Sequence, residues 1–147
     1  MHLTVLAAMA VVAYGPGVRG AERLVRLPIG RIPVVESRAP ATWGLGGMSM
    51  VNLTATVNRR TPIMRTLEWD ARTVEILSRI GKPGLRRGEI RLAHDGGKTY
   101  ICVGPYLLLE VTPADARAAK KDVAALAQEW LAQVRRVLPQ VAPVGSR

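Results

Sequence analysis

The sequence predicts an α+β fold, in which a small antiparallel sheet carries its helices on one face. In the second half of the chain, three short apolar runs alternate with glycine-containing turns, a pattern typical of an antiparallel meander. One amphipathic segment precedes these runs and another follows them, and this succession favours a sheet covered by helices. The expected order is a hairpin, a helix, the three-stranded meander and a C-terminal helix.

The first segment of the chain has the character of a signal peptide. Residues 3–13 form an uncharged apolar run that breaks at Tyr14-Gly15-Pro16-Gly17. The run has about the length of a signal-peptide core and is shorter than the roughly 20 residues of a membrane span. Small residues place the expected cleavage after Ala13 or after Gly20. We therefore predict a signal peptide at residues 1–20. A buried first strand is the alternative, because the positive charge ahead of the run is weak.

Residues 21–50 are expected to form an extended N-terminal arm or an edge strand with a Gly/Pro-rich linker. Pro28 and Pro33 each lack the backbone donor that a central strand needs. Glycines crowd the segment from Pro40 to Met50, which we interpret as a flexible connection to the folded domain.

The α+β domain is expected at residues 51–139, and a hairpin opens it. Residues 53–57 and 61–67 are predicted as its strands and residues 58–60 as its turn. A helix should follow with Asp70 as its N-cap, because apolar residues then recur at helical spacing. The expected apolar stripe consists of Ala71, Val74, Leu77 and Ile80, and the glycines and proline of residues 81–84 should end the helix.

Three strands are predicted at residues 89–94, 98–103 and 106–111. Asp95-Gly96-Gly97 is a strong hairpin signal, since glycine accepts the positive φ of a tight turn, and Gly104-Pro105 supplies the next turn. The last strand carries Leu108 opposite its other apolar residues. A strand that is apolar on both faces is expected at the centre of a sheet.

The C-terminal helical part begins with the clearest local signal of the chain. Thr112-Pro113-Ala114-Asp115 combines a cap residue, a proline at the first helical position and an acid placed as in a capping box. Asp122 is expected to cap a second segment and Pro139 to end it, which leaves residues 140–147 as a flexible tail. The apolar face of that segment consists of Val123, Leu126, Ala127, Trp130, Val134 and Leu138.

Positive charge is the strongest compositional feature. The net charge is +10, and the 21 basic residues are 17 arginines and 4 lysines. Arginine favours bidentate contacts with phosphate or carboxylate groups. If the basic pairs converge on one rim, they would bind an anionic polymer, and if they scatter, they are ordinary solvated charge. The candidate anion-binding residues are these four pairs: Arg59, Arg60, Arg86, Arg87, Lys120, Lys121, Arg135 and Arg136.

Residues for catalysis and metal binding are scarce. His2 and His94 are the only histidines, so a histidine triad or zinc cluster cannot be assembled. The single cysteine, Cys102, excludes an internal disulfide and is interpreted as a buried, unreactive thiol. The sequence holds no phosphate-binding loop and no nucleophile motif. We therefore expect a protein that is not an enzyme, with no catalytic residues, no metal and no cofactor.

Residues 52–138 resemble a small extracytoplasmic domain that occurs alone or ahead of small-conductance mechanosensitive channel segments in bacteria. The likeness lies in the hairpin at 55–64, the helix at 71–80 and the ending 110–117, 126–130 and 134–135. Arg59 stands where that pattern often has a turn glycine. The resemblance implies an exported location and an accessory or sensory role, and channel activity is not carried over.

These observations favour an exported, non-catalytic binding or accessory domain in the periplasm or outside the cell. Its expected partner is an anionic envelope component, either a polymer or an envelope protein, and no membrane span is expected in the mature chain. A cytoplasmic nucleic-acid-binding protein that uses the paired Arg and Lys residues is the first alternative. A subunit of an envelope assembly is the second.

Overall fold

The computed structural model describes residues 23–80 and 85–141, and it confirms the α+β class. The predicted signal peptide, the residues expected to end the first helix and most of the predicted tail lie outside the described residues. The elements are β1 (Ala41–Leu45), β2 (Met48–Leu53), α1 (Pro62–Arg79), a 3-10 turn (Arg87–Glu89), β3 (Ile90–Asp95), β4 (Lys98–Val103), β5 (Tyr106–Val111), α2 (Pro113–Ala119) and α3 (Val123–Val141).

β1 and β2 form an antiparallel hairpin in the segment that we interpreted from the sequence as a flexible connection. That interpretation was wrong. Gly46 and Gly47 make its two-residue turn with φ values of 57° and 78°, which glycine adopts without a steric penalty. A Cβ on Gly44 would stand 2.4 Å from the carbonyl oxygen of Met48. The glycines therefore permit a tight turn and close strand pairing.

α1 begins at Pro62 and replaces the predicted strand at residues 61–67. Thr61 caps the helix, since its Oγ1 accepts a hydrogen bond from Met64 N, and Pro62 fits the first helical position because its missing N–H would be unpaired there anyway. The hairpin expected around residues 58–60 is thus a turn that leads from β2 into a helix.

The predicted cap of this helix was also wrong, and its predicted apolar stripe was wrong in part. Asp70 lies inside α1, where its Oδ1 accepts a hydrogen bond of 2.8 Å from Trp43 Nε1. Val74 is 67% exposed, so it does not face the core, whereas Leu77 and Ile80 of the expected stripe are partly buried and pack against the core. The side that is buried carries polar residues among its apolar ones: Pro62, Arg65, Thr66, Trp69, Arg72, Thr73 and Ile76.

β3, β4 and β5 form the predicted meander, with Gly96 and Gly97 in the first turn. β4 is the central strand, so the central position expected for β5 was wrong. The pairing of β4 with β5 contains a bulge. Ile101 pairs with Leu109 and the next residue, Cys102, pairs with Leu107, so Leu108 is an extra residue in β5. Leu108 and Leu109 then both enter the main core, while Leu107 joins a cluster on the other face.

The N-terminal arm lies against the outer edge of β5. Val25 N donates to Pro105 O at 2.7 Å and Leu107 N donates to Val25 O at 2.9 Å, which makes a single parallel bridge. Residues 26–40 have no regular secondary structure. Val35 O accepts a hydrogen bond from Thr61 Oγ1, so the arm connects the sheet edge to the start of α1.

The caps of the two C-terminal helices are confirmed. Thr112 and Asp115 form the reciprocal capping box of α2, and Asp122 Oδ1 accepts a hydrogen bond of 2.7 Å from Ala125 N at the start of α3. Pro139 does not end α3, which runs to Val141. A proline this close to the helix end costs one backbone hydrogen bond and leaves the following residues free to continue.

The placement of the helices on one face of the meander is confirmed. Residues of all three helices join the hairpin and this face in one hydrophobic core. Within it, Trp69 makes edge-to-face contacts with Trp43 and Trp130, at centroid distances of 5.3 and 5.8 Å. The opposite face holds a smaller cluster, against which Leu24 of the arm packs, made of Ala93, Tyr100, Cys102 and Leu107.

Candidate anion-binding cleft

Two arginines on α1 carry their charge into the interior. Arg65 and Arg72 are each 5% exposed. They are seven residues apart, close to two helical turns, so they project on the same side of the helix. A buried guanidinium needs hydrogen-bond acceptors for its five N–H groups, because a charge removed from water without partners is costly.

Arg65 is held by a buried carboxylate. Its Nη1 and Nη2 donate to the two oxygens of Asp115 at 2.7 Å each, and Nη1 also donates to Ala55 O at 3.1 Å. The guanidinium lies 5.3 Å from the ring centroid of Trp69. Because Asp115 also accepts from Thr112 in the capping box, the pair ties α1 to the start of α2.

Arg72 is held less completely. Its Nη1 donates to Leu108 O at 2.9 Å, so the guanidinium binds the carbonyl of the extra residue in the β5 bulge. Its Nη2 donates to Glu68 Oε1 at 2.8 Å. Nε is buried and has no hydrogen-bond partner within the described part of the chain. An unpaired buried donor costs about 1–3 kcal/mol, so this nitrogen marks a place where an acceptor would be stabilised.

Glu68 links this buried arginine to an exposed one. Its Oε2 accepts a hydrogen bond from Arg60 Nη1, while Oε1 accepts from Arg72. The Glu68 side chain is 14% exposed and that of Arg60 is 48% exposed. The carboxylate therefore lies where the buried interior meets the surface.

A cleft opens above these residues. Its volume is about 690 Å³, and it is walled by the arm at residues 26–32, by the turn at 58–60 and by Met64, Glu68 and Arg72 of α1. A smaller cavity of about 220 Å³ shares Glu68, Arg72 and part of the arm and turn with the larger one and is also lined by Arg65 and Trp69. The other residues that line only this smaller cavity are Val57, Lys98, Glu110 and Thr112.

The cleft is strongly positive. Five arginines line the larger cavity, and Glu68 is its one carboxylate among the described residues. Three of these arginines, at positions 26, 31 and 59, are exposed and form no ion pair or side-chain hydrogen bond within the described part of the chain. Low-dielectric walls lined by one sign of charge raise the local concentration of oppositely charged ligands. The arrangement suits an anion.

The turn that carries Arg59 and Arg60 is strained. Val57 and Arg60 exchange two backbone hydrogen bonds of 3.0 and 2.9 Å across Asn58 and Arg59, whose φ values are 50° and 64°. Asparagine tolerates this left-handed region, whereas arginine pays a steric penalty of about 1–2 kcal/mol there. Glycine would avoid the penalty at position 59, so the turn keeps an arginine at the cleft at a cost in stability.

The structure brings together one of the four predicted basic pairs, Arg59-Arg60, with residues that the sequence analysis did not select. Arg26, Arg31 and Arg72 join that pair in the larger cavity. The two arm residues are single basic residues in a proline-containing segment, so selection by adjacent charges could not find them. The one usable signal was the alternation of basic and apolar residues along the arm.

The other three pairs lie outside the cleft. Arg86 and Arg87 are exposed at the 3-10 turn, and Lys120 is exposed at the end of α2. Lys121 forms an ion pair with Glu129. The arginines of α3 support the fold, since Arg135 Nε donates to Ile90 O at 2.8 Å and Arg136 Nη2 donates to Ser49 O at 2.9 Å.

Other chemistry is sparse in the described part of the chain. It holds no group of three or more His, Cys, Asp or Glu residues placed to bind a metal ion. His94 is exposed beside the β3–β4 turn, with its Nδ1 3.3 Å from Thr99 Oγ1. Cys102 is buried, as expected from the sequence. None of the helices described is both long and apolar enough to cross a membrane.

Comparison of the sequence with protein-family models, with curated proteins and with solved structures found no match. The basis for a functional assignment is therefore the geometry of the cleft.

Proposed function

We propose that this chain is an exported, non-catalytic binding domain whose basic cleft holds an anionic ligand of the cell envelope. The observation that carries the proposal is Arg72, a buried arginine at the base of the cleft whose Nε lacks a hydrogen-bond partner in the described structure. A ligand oxygen at that position would satisfy the donor and regain the free energy that its burial costs.

The outer arginines support the same function. Arg26, Arg31 and Arg59 are exposed, line the same cavity and lack carboxylate partners among the described residues. They would attract an anion toward the cleft and contact the part of the ligand that stays near the surface. The strained φ of Arg59 favours a binding role, because a purely structural turn would be more stable with glycine there.

Inorganic pyrophosphate is a suitable probe, with binding followed by calorimetry and by tryptophan fluorescence, to which Trp69 in the smaller cavity contributes. The test variant is Arg31→Ala/Arg59→Ala. The matched control is Arg86→Ala/Arg87→Ala, which removes the same charge outside the cleft. We expect the cleft variant to lose at least about tenfold in affinity, equivalent to ~1.4 kcal/mol, and the control to stay within a factor of about two.

Equal losses in the two variants, or no binding by the wild-type chain, would contradict a site in this cleft. A mixed-sequence single-stranded oligonucleotide tests the first alternative. If both variants lose oligonucleotide binding equally while pyrophosphate does not bind, the charge acts as a diffuse nucleic-acid surface.

A single substitution in the turn separates binding from stability. Arg59→Gly should raise the free energy of unfolding by about 1 kcal/mol, because glycine accepts the positive φ, and should weaken pyrophosphate binding. A variant that becomes more stable and binds as well as the wild type would show that Arg59 is not a binding residue.

Export requires its own measurement. N-terminal sequencing of the protein recovered from fractionated cells should find a chain that begins after Ala13 or after Gly20. Recovery of chains with intact Met1 from the cytoplasmic fraction would overturn the exported location and leave the cleft assignment to be judged by the binding data.

A further inference from the structure

We infer that the inner end of the cleft is a site for a terminal phosphate group, and that the Glu68 carboxylate occupies this site when no ligand is bound. This inference rests on the proposed function and deepens it. The ligand class would be phosphate monoesters or pyrophosphates, whose terminal phosphate displaces Glu68 from Arg60 and Arg72.

The Glu68 carboxylate does not satisfy every arginine donor at the inner end of the cleft. Glu68 gives one oxygen to Arg60 Nη1 and the other to Arg72 Nη2. Arg72 Nε, on the same edge of the guanidinium as Nη2, is left without an acceptor among the described residues. Because the carboxylate bridges Arg60 and Arg72 and does not bind Arg72 side-on, it satisfies two of these three donors.

A terminal phosphate has three oxygens that can spread over both arginines. Two of its three oxygens can bind Nε and Nη2 of Arg72 in the bidentate, side-on arrangement typical of arginine with phosphate. The third oxygen can accept from Arg60. All three donors, including the Nε that Glu68 leaves unpaired, would then be satisfied.

Charge favours the same exchange. Among the described residues, the five arginines that line the larger cavity are opposed there by the single charge of Glu68. A phosphate monoester carries about −1.5 to −2 at neutral pH, so replacing the carboxylate by it neutralises more of the arginine charge. A ligand with one carboxylate would bring the same charge that Glu68 already supplies and would have to compete with a group tethered to the site.

Glu68 is positioned so that it can leave. Its side chain is 14% exposed, and its partner Arg60 is half-exposed. Both residues border the larger cavity. By contrast, the Asp115 carboxylate that binds Arg65 is 2% exposed and is fixed by the capping box. Displacement is therefore expected at the inner end of the cleft and not at the Arg65 pair.

The test uses Glu68→Gln, which removes the competing charge and keeps the size of the side chain. Glu75→Gln is the matched control, because Glu75 also lies on α1 and forms an i,i+4 ion pair, with Arg79, yet does not line the cleft. We expect Glu68→Gln to bind pyrophosphate about tenfold more tightly than the wild type and the control to bind within a factor of about two.

A second measurement needs no variant. The wild-type chain should prefer pyrophosphate and methyl phosphate over malonate and acetate, which have comparable sizes but carboxylate groups. Phosphatidylcholine vesicles with and without phosphatidic acid, compared with soluble pyrophosphate, show whether the phosphate comes from a lipid headgroup or from a free ligand. Both sources satisfy the inference, because the recognised chemistry is the same.

The outcomes separate this inference from the proposed function. If Arg31→Ala/Arg59→Ala weakens pyrophosphate binding but Glu68→Gln leaves it unchanged or weakens it, the cleft binds anions and Glu68 is not a stand-in for the ligand. Equal affinity for phosphates and carboxylates would also overturn the phosphate site. If the wild-type chain binds none of these anions, both assignments fail.

Discussion

Arg65 and Arg72 are equally buried on the same side of one helix, yet the structure uses them differently. Arg65 is bound through two nitrogens to the carboxylate of Asp115, and that carboxylate is itself held by Thr112. Arg72 shares the carboxylate of Glu68 with Arg60 and keeps one nitrogen unpaired among the described residues. Burial alone therefore does not separate an arginine with a structural role from one that we propose to bind a ligand. The separating feature is whether the partner carboxylate is fixed.

The largest loss of stability is expected when the ion pair between Arg65 and Asp115 is broken. Arg65→Met would leave the buried Asp115 carboxylate without its counter-ion, and breaking a buried pair in this way costs about 3–5 kcal/mol. Urea denaturation followed by circular dichroism measures the loss. The double variant Arg65→Met/Asp115→Leu should recover part of it, because no buried charge remains. A loss below about 1 kcal/mol would show that the pair does not hold α1 to α2.

The second-largest effect is expected for Arg72, whose Nε has no partner among the described residues. Arg72→Met removes the donor to Leu108 O in the β5 bulge and should lower the free energy of unfolding by about 1–3 kcal/mol. It should also abolish pyrophosphate binding, whereas Arg65→Met, if studied below its unfolding temperature, should retain most of it. Binding that survives Arg72→Met with the fold intact would contradict the division of roles between the two arginines.

The same comparison explains why the sequence analysis placed α1 wrongly. Thr112-Pro113 was recognised as a helix start, and Thr61-Pro62 forms the same kind of start without having been recognised. The two starts differ in the helices that they open. The buried side of α1 carries Arg65 and Arg72 among its apolar residues, so apolar periodicity, on which the prediction relied, is interrupted where the helix faces the core.

The parts of the fold that could be predicted are those that neighbouring residues determine. The meander, its turns and the caps of α2 and α3 follow from local chemistry, which adjacent residues encode. The β1–β2 hairpin was missed although Gly46-Gly47 gives the same turn signal as Gly96-Gly97, because Pro40 and Gly44 favoured a flexible interpretation. Glycine at a close strand approach and glycine in a loose linker look alike in sequence.

The cleft could be predicted only in part. Arg59 and Arg60 stand out as an adjacent pair, and they do line it. Arg26 and Arg31 reach the same cavity only because the arm pairs with the edge of β5 and returns to α1, a long-range arrangement that no local pattern encodes. Arg72 binds the carbonyl of the extra residue in the β5 bulge. The position of this bulge could not be predicted, because three leucines in a row give no sign of which one is extra.

A smaller effect on stability is expected when Asp70 is replaced. Asp70 accepts a hydrogen bond from Trp43, which packs on the same Trp69 that lies beside Arg65. Asp70→Ala should cost about 1 kcal/mol, whereas Asp70→Asn keeps the acceptor and should cost less. Equal unfolding free energies for Asp70→Ala and the wild type would show that this hydrogen bond contributes nothing.

Asp70 should also make the stability of the fold depend on pH. Burial raises its pKa, and the hydrogen bond from Trp43 partly opposes this shift. The stability that its protonation contributes is fully present below the pKa of the unfolded chain, about 3.9, and is lost as the pH rises through the higher pKa of the folded chain. Relative to Asp70→Asn, the wild type should therefore gain stability as the pH is lowered from neutral toward about 4, as measured by urea denaturation at each pH.

The smallest effect at neutral pH is expected at Cys102, which lies opposite Leu107 beside the bulge that Arg72 supports. Burial raises the pKa of its thiol to about 11, and the nearby charge of Arg91 opposes the shift. In the unfolded chain the thiol ionises at about pH 8.5. The stability contributed by the buried neutral thiol is therefore lost as the pH rises from there through about 11.

Cys102→Ala removes this titration, so the wild type should lose stability relative to that variant only on the alkaline side, in urea denaturation at stepped pH. The charge of Arg91 opposes the rise in the thiol pKa, so Arg91→Met should raise that pKa further and increase the alkaline loss. Arg65→Met should leave the alkaline loss unchanged, since Arg65 makes its contacts at the far end of α1. Identical alkaline behaviour in Arg91→Met and Arg65→Met would show that the charge of Arg91 does not act on the thiol.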